Sequence, residues 1–445
     1  SLNAATRNAT DALALIGTID GALEESGEIL LRMRELAVQS ASDTNTGTDR
    51  SFIQDEINAL NNELNRISSS TEFNAVKLLD GTYNNKQIQI GTGANQVFNI
   101  GVTATDSSTL GAYELESVAE ITASSGTASA AAATSALTTA LADAADYTVK
   151  GSFGSATVKV DAGADARDVA KSFNLSAGTT GINATAITKA SITGLGKATT
   201  ISFTLQGKSS SASTVNATVD STSNLTALKD AINSVSGATG ISASLTTDLS
   251  GINLVQQEGY DIVIGDVTTS HLSGTMTVKV ADKAGTAQGT EQTLKGFTTA
   301  DDSVAMVGQV SLSSHKAFTV ASGDAANHFA TDTSAQTSTL QSMGAVDISS
   351  QTGATKALSV IDGAIAMISE VRSEMGAAEN RLTSTVDNLS NVSVNTQRSL
   401  TAVEDANFAS ETSALTKAQI LQQAATSMLA QANSAKQTML VLLQG

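Results

Sequence analysis

The residues best suited to catalysis or metal binding are few and scattered along this 445-residue chain. Cysteine is absent, and the three histidines are His271, His315 and His328. None of them occurs in a zinc-binding spacing such as H-E-x-x-H, which places two imidazoles on one face of a helix. The sequence therefore predicts no metal site, and it predicts ordinary surface or core roles for the histidines.

Paired acidic residues and glycine-rich stretches do not indicate an active site either. Asp301-Asp302 and Glu24-Glu25 are typical of solvated faces, because an acid/base pair would need neighbours that shift one pKa. Gly91-Thr92-Gly93 lacks the spacing and the lysine of a phosphate-binding loop. We expect no enzyme activity and no bound cofactor.

The charge balance limits the possible partners. The chain has 43 acidic residues against 25 lysines and arginines, a net charge of −18. Nucleic acids and anionic membranes both attract clustered basic residues. No uninterrupted apolar stretch approaches the roughly 18 residues of a membrane span. We therefore expect neither nucleic-acid binding nor membrane insertion.

The strongest structural pattern is a heptad repeat near the C-terminal end. Its first row is Ile361, Ile368, Met375, Leu382 and Leu389. A second row follows three positions later, at Ala364, Val371, Ala378, Thr385 and Val392. Such spacing forms the core seam of a coiled coil. It predicts a long helix from Lys356 to about Thr401.

Two N-terminal segments have matching apolar stripes. The first is Ile16, Ile19, Leu23, Leu30, Met33 and Ala37, and the second is Ile53, Ile57, Leu60, Leu64 and Ile67. The polar stretch 40–49 separates two helices, and Thr48 or Asp49 is the expected cap of the second. Because one narrow stripe cannot be buried by a lone helix, both chain ends are predicted to form an antiparallel helical coiled-coil or bundle core.

The middle of the chain is predicted to be a β-rich α+β insertion. Residues 87–90 and 97–100 read as a hairpin that clasps the helices. Residues 122–145 are either a loose connection or a short helix, and 266–350 contain short strands. An internal repeat at an offset of 59 residues links Val160-Asp161, Asn174, Gly178, Thr180, Gly181, Ile182 and Ala184 to Val219-Asp220, Asn233, Gly237, Thr239, Gly240, Ile241 and Ala243. Each copy reads strand, short helix, glycine turn, strand, with Asp165 and Asn224 as helix caps.

The last forty residues carry apolar side chains around most of a helix. These are Phe408, Ile420, Leu421, Met428, Leu429, Met439, Leu440 and Leu443. A helix that is apolar on most sides must be buried by other chains or by a missing partner. Asp405–Phe408 is the expected joint between this tail and the coiled coil.

Both helical ends resemble bacterial flagellin. The motifs that carry the resemblance are RMRELAVQS (Arg32–Ser40), STEFNAVKLL (Ser70–Leu79), LTKAQILQQA (Leu415–Ala424) and the final LLQG (Leu442–Gly445). They cover roughly residues 1–112 and 356–445, and the internal repeat resembles the insertion motif of flagellin variable regions. The resemblance implies a multidomain protein with a core at 1–116 and 351–404, an outer region at 117–350 with motif copies at about 146–190 and 200–265, and a tail at 405–445.

The resemblance also implies a function. It predicts a structural subunit that polymerises into the extracellular bacterial flagellar filament for swimming motility, after export in unfolded form without a cleaved signal peptide. Implied partners are further copies of the chain, the flagellar export apparatus and its chaperone, and hook-associated and cap proteins. The seven large tail residues Phe408, Ile420, Leu421, Met428, Leu429, Leu440 and Leu443 would assemble the filament core. Flagellins carry some dozens of residues before the position matching Ser1, so we also expect this chain to lack the N-terminal assembly segment.

A host partner is implied as well. Vertebrate Toll-like receptors recognise flagellin through its N-terminal helices, and the matching positions here are Arg32, Leu36 and Glu63. The guanidinium of Arg32 offers bidentate hydrogen bonds and Leu36 an apolar anchor. The same residues would serve contacts between subunits inside a filament.

Two alternative functions remain from the sequence. A hook–filament junction protein shares the helical architecture. A surface adhesin or glycan-binding protein would use the outer region, although 3% aromatic residues and no tryptophan offer little surface for stacking sugars.

Overall fold

The computed structural model of the protein describes residues 1–117, 121–123, 145–209, 211–271, 274–283, 285, 287–296, 302–322, 329 and 335–445. The described helices are α1 (Leu2–Ala41), α2 (Gly47–Ser70), α3 (Ala166–Leu175), α4 (Ala177–Thr180), α5 (Thr226–Ser234), α6 (Ser236–Thr239) and α7 (Gln351–Leu443), with a 3₁₀ turn at Met343–Ala345.

The strands of the first half are β1 (Glu72–Phe73), β2 (Val76–Lys77), β3 (Lys86–Gln89), β4 (Val97–Ile100), β5 (Gly111–Glu116), β6 (Ile121–Ala123), β7 (Ala145–Lys150), β8 (Ser155–Val160), β9 (Asn183–Leu195), β10 (Thr199–Gln206) and β11 (Ser213–Val219). Those of the second half are β12 (Ile241–Leu245), β13 (Ile252–Gln256), β14 (Ile262–Thr269), β15 (Thr275–Ala281), β16 (Ala287–Lys295), β17 (Val304–Met306), β18 (Gln309–Ser314), β19 (Thr319–Ser322), β20 (Gln336–Thr337) and β21 (Thr339–Ser342). The predicted connection at 122–145 lies outside the described residues except at its two ends.

The terminal helices form where the heptads predict them, with two corrections at their ends. The cap of α2 is Thr46 rather than Thr48 or Asp49. Asp49 is the reciprocal partner, since its backbone N–H donates to Thr46 Oγ1 (3.2 Å) and its carboxylate accepts from the Thr46 N–H (2.9 Å). Helix α7 does not end near Thr401, because no proline or glycine lies between Ala377 and Leu443 to interrupt it.

The described chain divides into two compact units. The first contains Ser1–Thr18, Asn84–Gly101 and Glu374–Gly445, and the second contains Ile19–Tyr83 and Val102–Ser373. In the first unit the β3–β4 hairpin contacts both chain ends. Asn8 Nδ2 donates to the Gln89 carbonyl (2.9 Å), and the Arg381 guanidinium lies 4.9 Å from the centre of the Phe98 ring. The predicted contact of the hairpin with the helices is confirmed.

The second unit holds the β-rich region, in which the described strand pairs are antiparallel. The three larger sheets have the strand orders β12-β13-β9-β18-β5-β21, β11-β10-β14-β17-β6 and β20-β19-β7-β8, and β15 pairs with both β9 and β16. Two apolar clusters fill this region. One contains Phe203 and residues of α5. The other contains Tyr147 and Phe173, which belongs to α3.

The internal repeat is visible as two copies of one hydrogen-bond pattern. Asn174, in α3, donates to the Ala184 carbonyl (2.9 Å) and accepts from the Ala184 N–H (2.8 Å). Asn233, in α5, makes the same two bonds to Ala243 at the same two distances. A side-chain amide that satisfies both backbone groups of one residue holds the helix against the strand that follows.

The turn between helix and strand is also the same in both copies. Gly181 and Gly240 have φ of +73° and +70°, a left-handed conformation that suits glycine. Asp165 caps α3 as predicted, with its side chain accepting from the Asp168 N–H. The predicted Asn224 cap is wrong by one residue. Its carboxamide accepts from the Thr226 N–H (3.0 Å), and Leu225 occupies the cap position without a side-chain bond.

A buried carboxylate lies in the loop that joins β13 to β14. Asp261 is 9% exposed, and neither of its oxygens has a hydrogen-bond partner among the described residues. Burial raises the pKa of Asp261 to about 7, the neighbouring Asp165 carboxylate raises it as well, and the Gly308 amide opposes both. The same loop accepts the N–H of Arg167 at the Gly259 carbonyl (3.1 Å), so it packs against the start of α3.

Replacing this carboxylate should change the pH dependence of stability. The folded-state pKa of about 7 lies above the ordinary 3.8. The folded protein therefore holds a proton that the unfolded chain releases, and stability falls as pH rises from about 4 to 7, by roughly 4 kcal/mol at most. We expect Asp261→Asn to raise the urea midpoint at about pH 8 and to flatten its decrease between about pH 5 and 8.

The matched control for that measurement is Asp220→Asn, because Asp220 is an exposed aspartate at the end of β11. Its pH profile should follow that of the native chain. An Asp261→Asn profile that also follows the native one would show that Asp261 is not protonated in the folded state.

Candidate functional site

The predicted coiled-coil seam is buried along most of its length. Ile361 and Leu382 are 0% exposed, Ile368 is 2% and Met375 is 4% exposed. Leu389 is only half-buried, and Val392, in the second row, is 43% exposed. The heptad pattern therefore continues beyond the stretch of α7 that packs.

Ion pairs connect the chain ends inside the second unit. Arg34 Nε lies 2.6 Å from Asp362 Oδ1, and Arg372 Nε lies 2.8 Å from Asp20 Oδ1. Each ion pair joins α1 to α7. Each of the four charged residues directly follows an apolar seam residue in the sequence. Asp20, Arg34 and Arg372 each follow a second-row residue and so occupy the e position, which often sets partner and orientation in coiled coils. Because these ion pairs are partly exposed, they affect the relative orientation of the two helices more than the stability of the fold.

A buried hydrogen bond adds a third link between the ends. Ser40, at the end of α1, is 0% exposed, and its hydroxyl donates to the Ile348 carbonyl (2.6 Å). Gln54, in α2, accepts from the Ile348 N–H (2.7 Å). The residues before α7 are thus held by both N-terminal helices.

The three predicted receptor-contact residues differ in exposure. Arg32 is half exposed and donates to Glu56 (2.8 and 3.0 Å) and Glu35 (3.0 Å). Glu63 is half-buried, and the Arg66 guanidinium holds the pKa of Glu63 below its usual range. Leu36 is 2% exposed, so the prediction of an accessible apolar anchor there is wrong.

The correction at Leu36 has a simple cause. Leu36 precedes the seam residue Ala37 and lies seven positions after Ile29, which is also buried. The apolar face of α1 is therefore wider than a strict two-row seam, because α2 and α7 both cover it. Leu31 and Val38, at 54% and 51% exposed, are the apolar residues that α1 presents outward.

The tail of α7 is exposed on every side. From Val394 to Gly445 all residues are exposed. The seven predicted assembly residues range from 60% exposed at Ile420 and Leu421 to 82% at Leu443. Glu411, Lys417 and Lys436 are the only charged residues between positions 409 and 445. An apolar helix surface of this extent requires a covering partner.

The two described histidines, His271 and His315, do not belong to a cluster of metal ligands. His315 Nε2 lies 3.4 Å from Glu370 Oε2, and His328 lies outside the described residues. No group of three or more potential metal ligands occurs within the described ranges. Among the same residues, no helix is both long and apolar enough to span a membrane.

The end of the buried seam provides a matched pair of substitutions. Leu382→Ala should destabilise the first unit by about 2–5 kcal/mol, because it removes a fully buried side chain and leaves a cavity. Leu389→Ala, one heptad later at a half-buried position, should cost less than half as much. Urea unfolding followed by helical circular dichroism measures both. Equal losses would contradict the assignment of where packing ends.

Comparison with known proteins agrees with this arrangement. Residues 1–84 match the bacterial flagellin N-terminal helical region, residues 358–443 match the bacterial flagellin C-terminal helical region, and residues 200–256 match the flagellin hook IN motif. The last match falls on the second copy of the internal repeat.

Whole-length relatives are also flagellins. The B-type flagellin of Pseudomonas aeruginosa is 32% identical over 446 residues, covering 100% of this chain and 88% of the relative. A flagellin of Salmonella choleraesuis is 31% identical over 465 residues with the same coverage. The solved structure of FliC from Burkholderia pseudomallei aligns with 83% of this chain and 99% of its own, at 15% identity and a TM-score of 0.33. On the matched terminal regions and the whole-length relatives, this chain belongs to the bacterial flagellin family.

Proposed function

We propose that this protein polymerises into the flagellar filament by burying the tail of α7 against other copies of itself. The observation that carries the proposal is the unbroken helix from Val394 to Leu443, whose large apolar residues are exposed throughout. Burial of seven such side chains would contribute roughly 10 kcal/mol before the cost of association is subtracted. The chain is then a structural component of an extracellular assembly, and it performs no catalysis.

The two parts of α7 have different tasks in this proposal. The buried seam from Ile361 to Leu382 makes the helical core of each subunit stiff. The exposed tail beyond Leu389 provides the contact that propagates from one subunit to the next. We further propose that hook-associated and cap proteins contact the ends of the polymer, and that the chain is exported unfolded by the flagellar export apparatus with a chaperone that covers the same tail.

A charged residue in the tail should prevent assembly. We expect Leu421→Asp to abolish polymerisation of purified monomers onto filament seeds, since it would bury an unpaired carboxylate between subunits. Sedimentation and negative-stain microscopy measure the polymer. The matched control is Leu175→Asp at the end of α3, where the leucine is 83% exposed in the outer region.

The control variant should assemble like the native protein. If Leu421→Asp assembled equally well, the tail would not be the assembly surface. Short oligomers in place of long filaments from the native protein would favour the hook–filament junction alternative.

We also propose that Arg32 and Glu63 contact a Toll-like receptor when the subunit is monomeric. Both side chains are at least partly exposed, and such ion pairs are weak enough to exchange partners on binding. Arg32→Ala should reduce receptor signalling by about tenfold, as truncation of an interface arginine commonly does. Lys77→Ala, which breaks the exposed Lys77–Glu72 pair (2.8 Å), is the control. Unchanged signalling by Arg32→Ala would remove that residue from the proposed contact.

A further inference from the structure

A cleft of about 460 Å³ in the second unit is lined by several lysines, which is unusual for so acidic a chain. It lies where the first turns of α7 meet β9, β18 and the end of β15. The lining residues that matter here are Thr185, Lys189, Lys283, Ser313, Thr355 and Lys356. Three lysines thus share one cleft in a protein whose net charge is −18.

Two of the three lysines in this cleft donate to neutral acceptors. Lys189 Nζ donates to the Lys283 carbonyl (2.7 Å), and Lys283 Nζ donates to the Ser311 hydroxyl (3.3 Å). Both acceptors are neutral. Lys356 Nζ is 3.9 Å from Glu116 Oε1, which is too long for a hydrogen bond.

The only carboxylate among the described lining residues is already neutralised. Asp362 is held by Arg34, with 2.6 Å between Oδ1 and Nε. Just outside the cleft, the Asp282 carboxylate accepts from Gln288 Nε2 (3.2 Å). The three lysines of the cleft therefore have fewer available carboxylates beside them than their positive charges would require.

The electrostatics of Lys189 agree with this geometry. Burial lowers the pKa of Lys189, Asp282 opposes that change, and the charges of Lys356 and Lys283 lower it further. An anion in the cleft would replace the lost hydration of the ammonium group and relieve the repulsion between like charges. Gln351 and Thr352 add the first turn of α7, where the backbone dipole also favours negative charge.

We propose that this cleft binds a phosphate-type dianion, either free phosphate or the phosphate group of a small monoester. The three lysines supply charge, and the hydroxyls of Thr185 and Ser313 supply further hydrogen-bond donors. The volume exceeds that of one phosphate group and lies within the range of small-molecule sites. This site is independent of the tail of α7 and of polymerisation.

Reactivity of the half-buried Lys189 tests the proposal directly. Reductive methylation modifies neutral amines, so a lysine with a lowered pKa is labelled readily, and an anion bound beside it slows the reaction. We expect inorganic phosphate to slow the labelling of Lys189 by about threefold or more once its concentration is a few times the dissociation constant. Sodium chloride at equal ionic strength should not, and peptide mass spectrometry reads each lysine separately.

A variant and two ligands sharpen the result. Lys283→Gln removes a charge but keeps the backbone carbonyl that holds Lys189, so it should abolish the protection by phosphate. Lys150→Gln, at an exposed position on β7, should leave the protection unchanged.

Glycerol 3-phosphate as a second ligand separates the two possible ligands, free phosphate and a phosphate monoester. Stronger protection than phosphate assigns the site to a monoester, and equal or weaker protection assigns it to free phosphate.

Two results would overturn the proposal. One is a labelling rate of Lys189 that phosphate does not change. The other is protection that is equally strong at the exposed Lys150 of the native chain, which would reveal only general screening of charge. The native protein supplies both measurements, so neither depends on how the variants fold.

Discussion

The packing of α7 along its heptad seam is the interaction on which the rest of the structure depends. The two chain ends lie more than three hundred residues apart in sequence, and the β-rich region is inserted between them. Fully buried residues such as Ile361 and Leu382 each contribute about 1.5–3 kcal/mol. That burial offsets most of the loop-closure entropy of so long an insertion.

Polar contacts then select one alignment of the helices. The apolar seam alone would allow α7 to shift by a heptad, since the pattern repeats every seven residues. Arg34–Asp362 and Arg372–Asp20 are satisfied together in only one register, and the buried Ser40 hydroxyl has its acceptor at Ile348 in that register. Weak, partly exposed ion pairs therefore matter here for specificity, while the apolar contacts supply most of the stability.

Local sequence patterns predicted the helices and strands of this fold well. They did not predict which side chains tertiary packing buries. The heptads, the hairpin and the offset repeat follow from spacing alone, so the recurrence of Asn174 as Asn233 was visible in the sequence, although their hydrogen bonds were not. Burial of Leu36 was not, because it depends on two helices covering one face of α1. Asp261 was missed for a similar reason. It stands at the start of an apolar strand, and only the fold reveals that α3 and its loop bury it.

The central claim is that the tail of α7 is exposed in the subunit and buried in the polymer. Hydrogen–deuterium exchange of residues 408–443, compared between monomers and filaments, tests it most directly. We expect fast exchange in monomers, since a single exposed helix opens readily, and strong protection in filaments. Equal exchange in both states would contradict the account and would place the assembly contact elsewhere on the subunit.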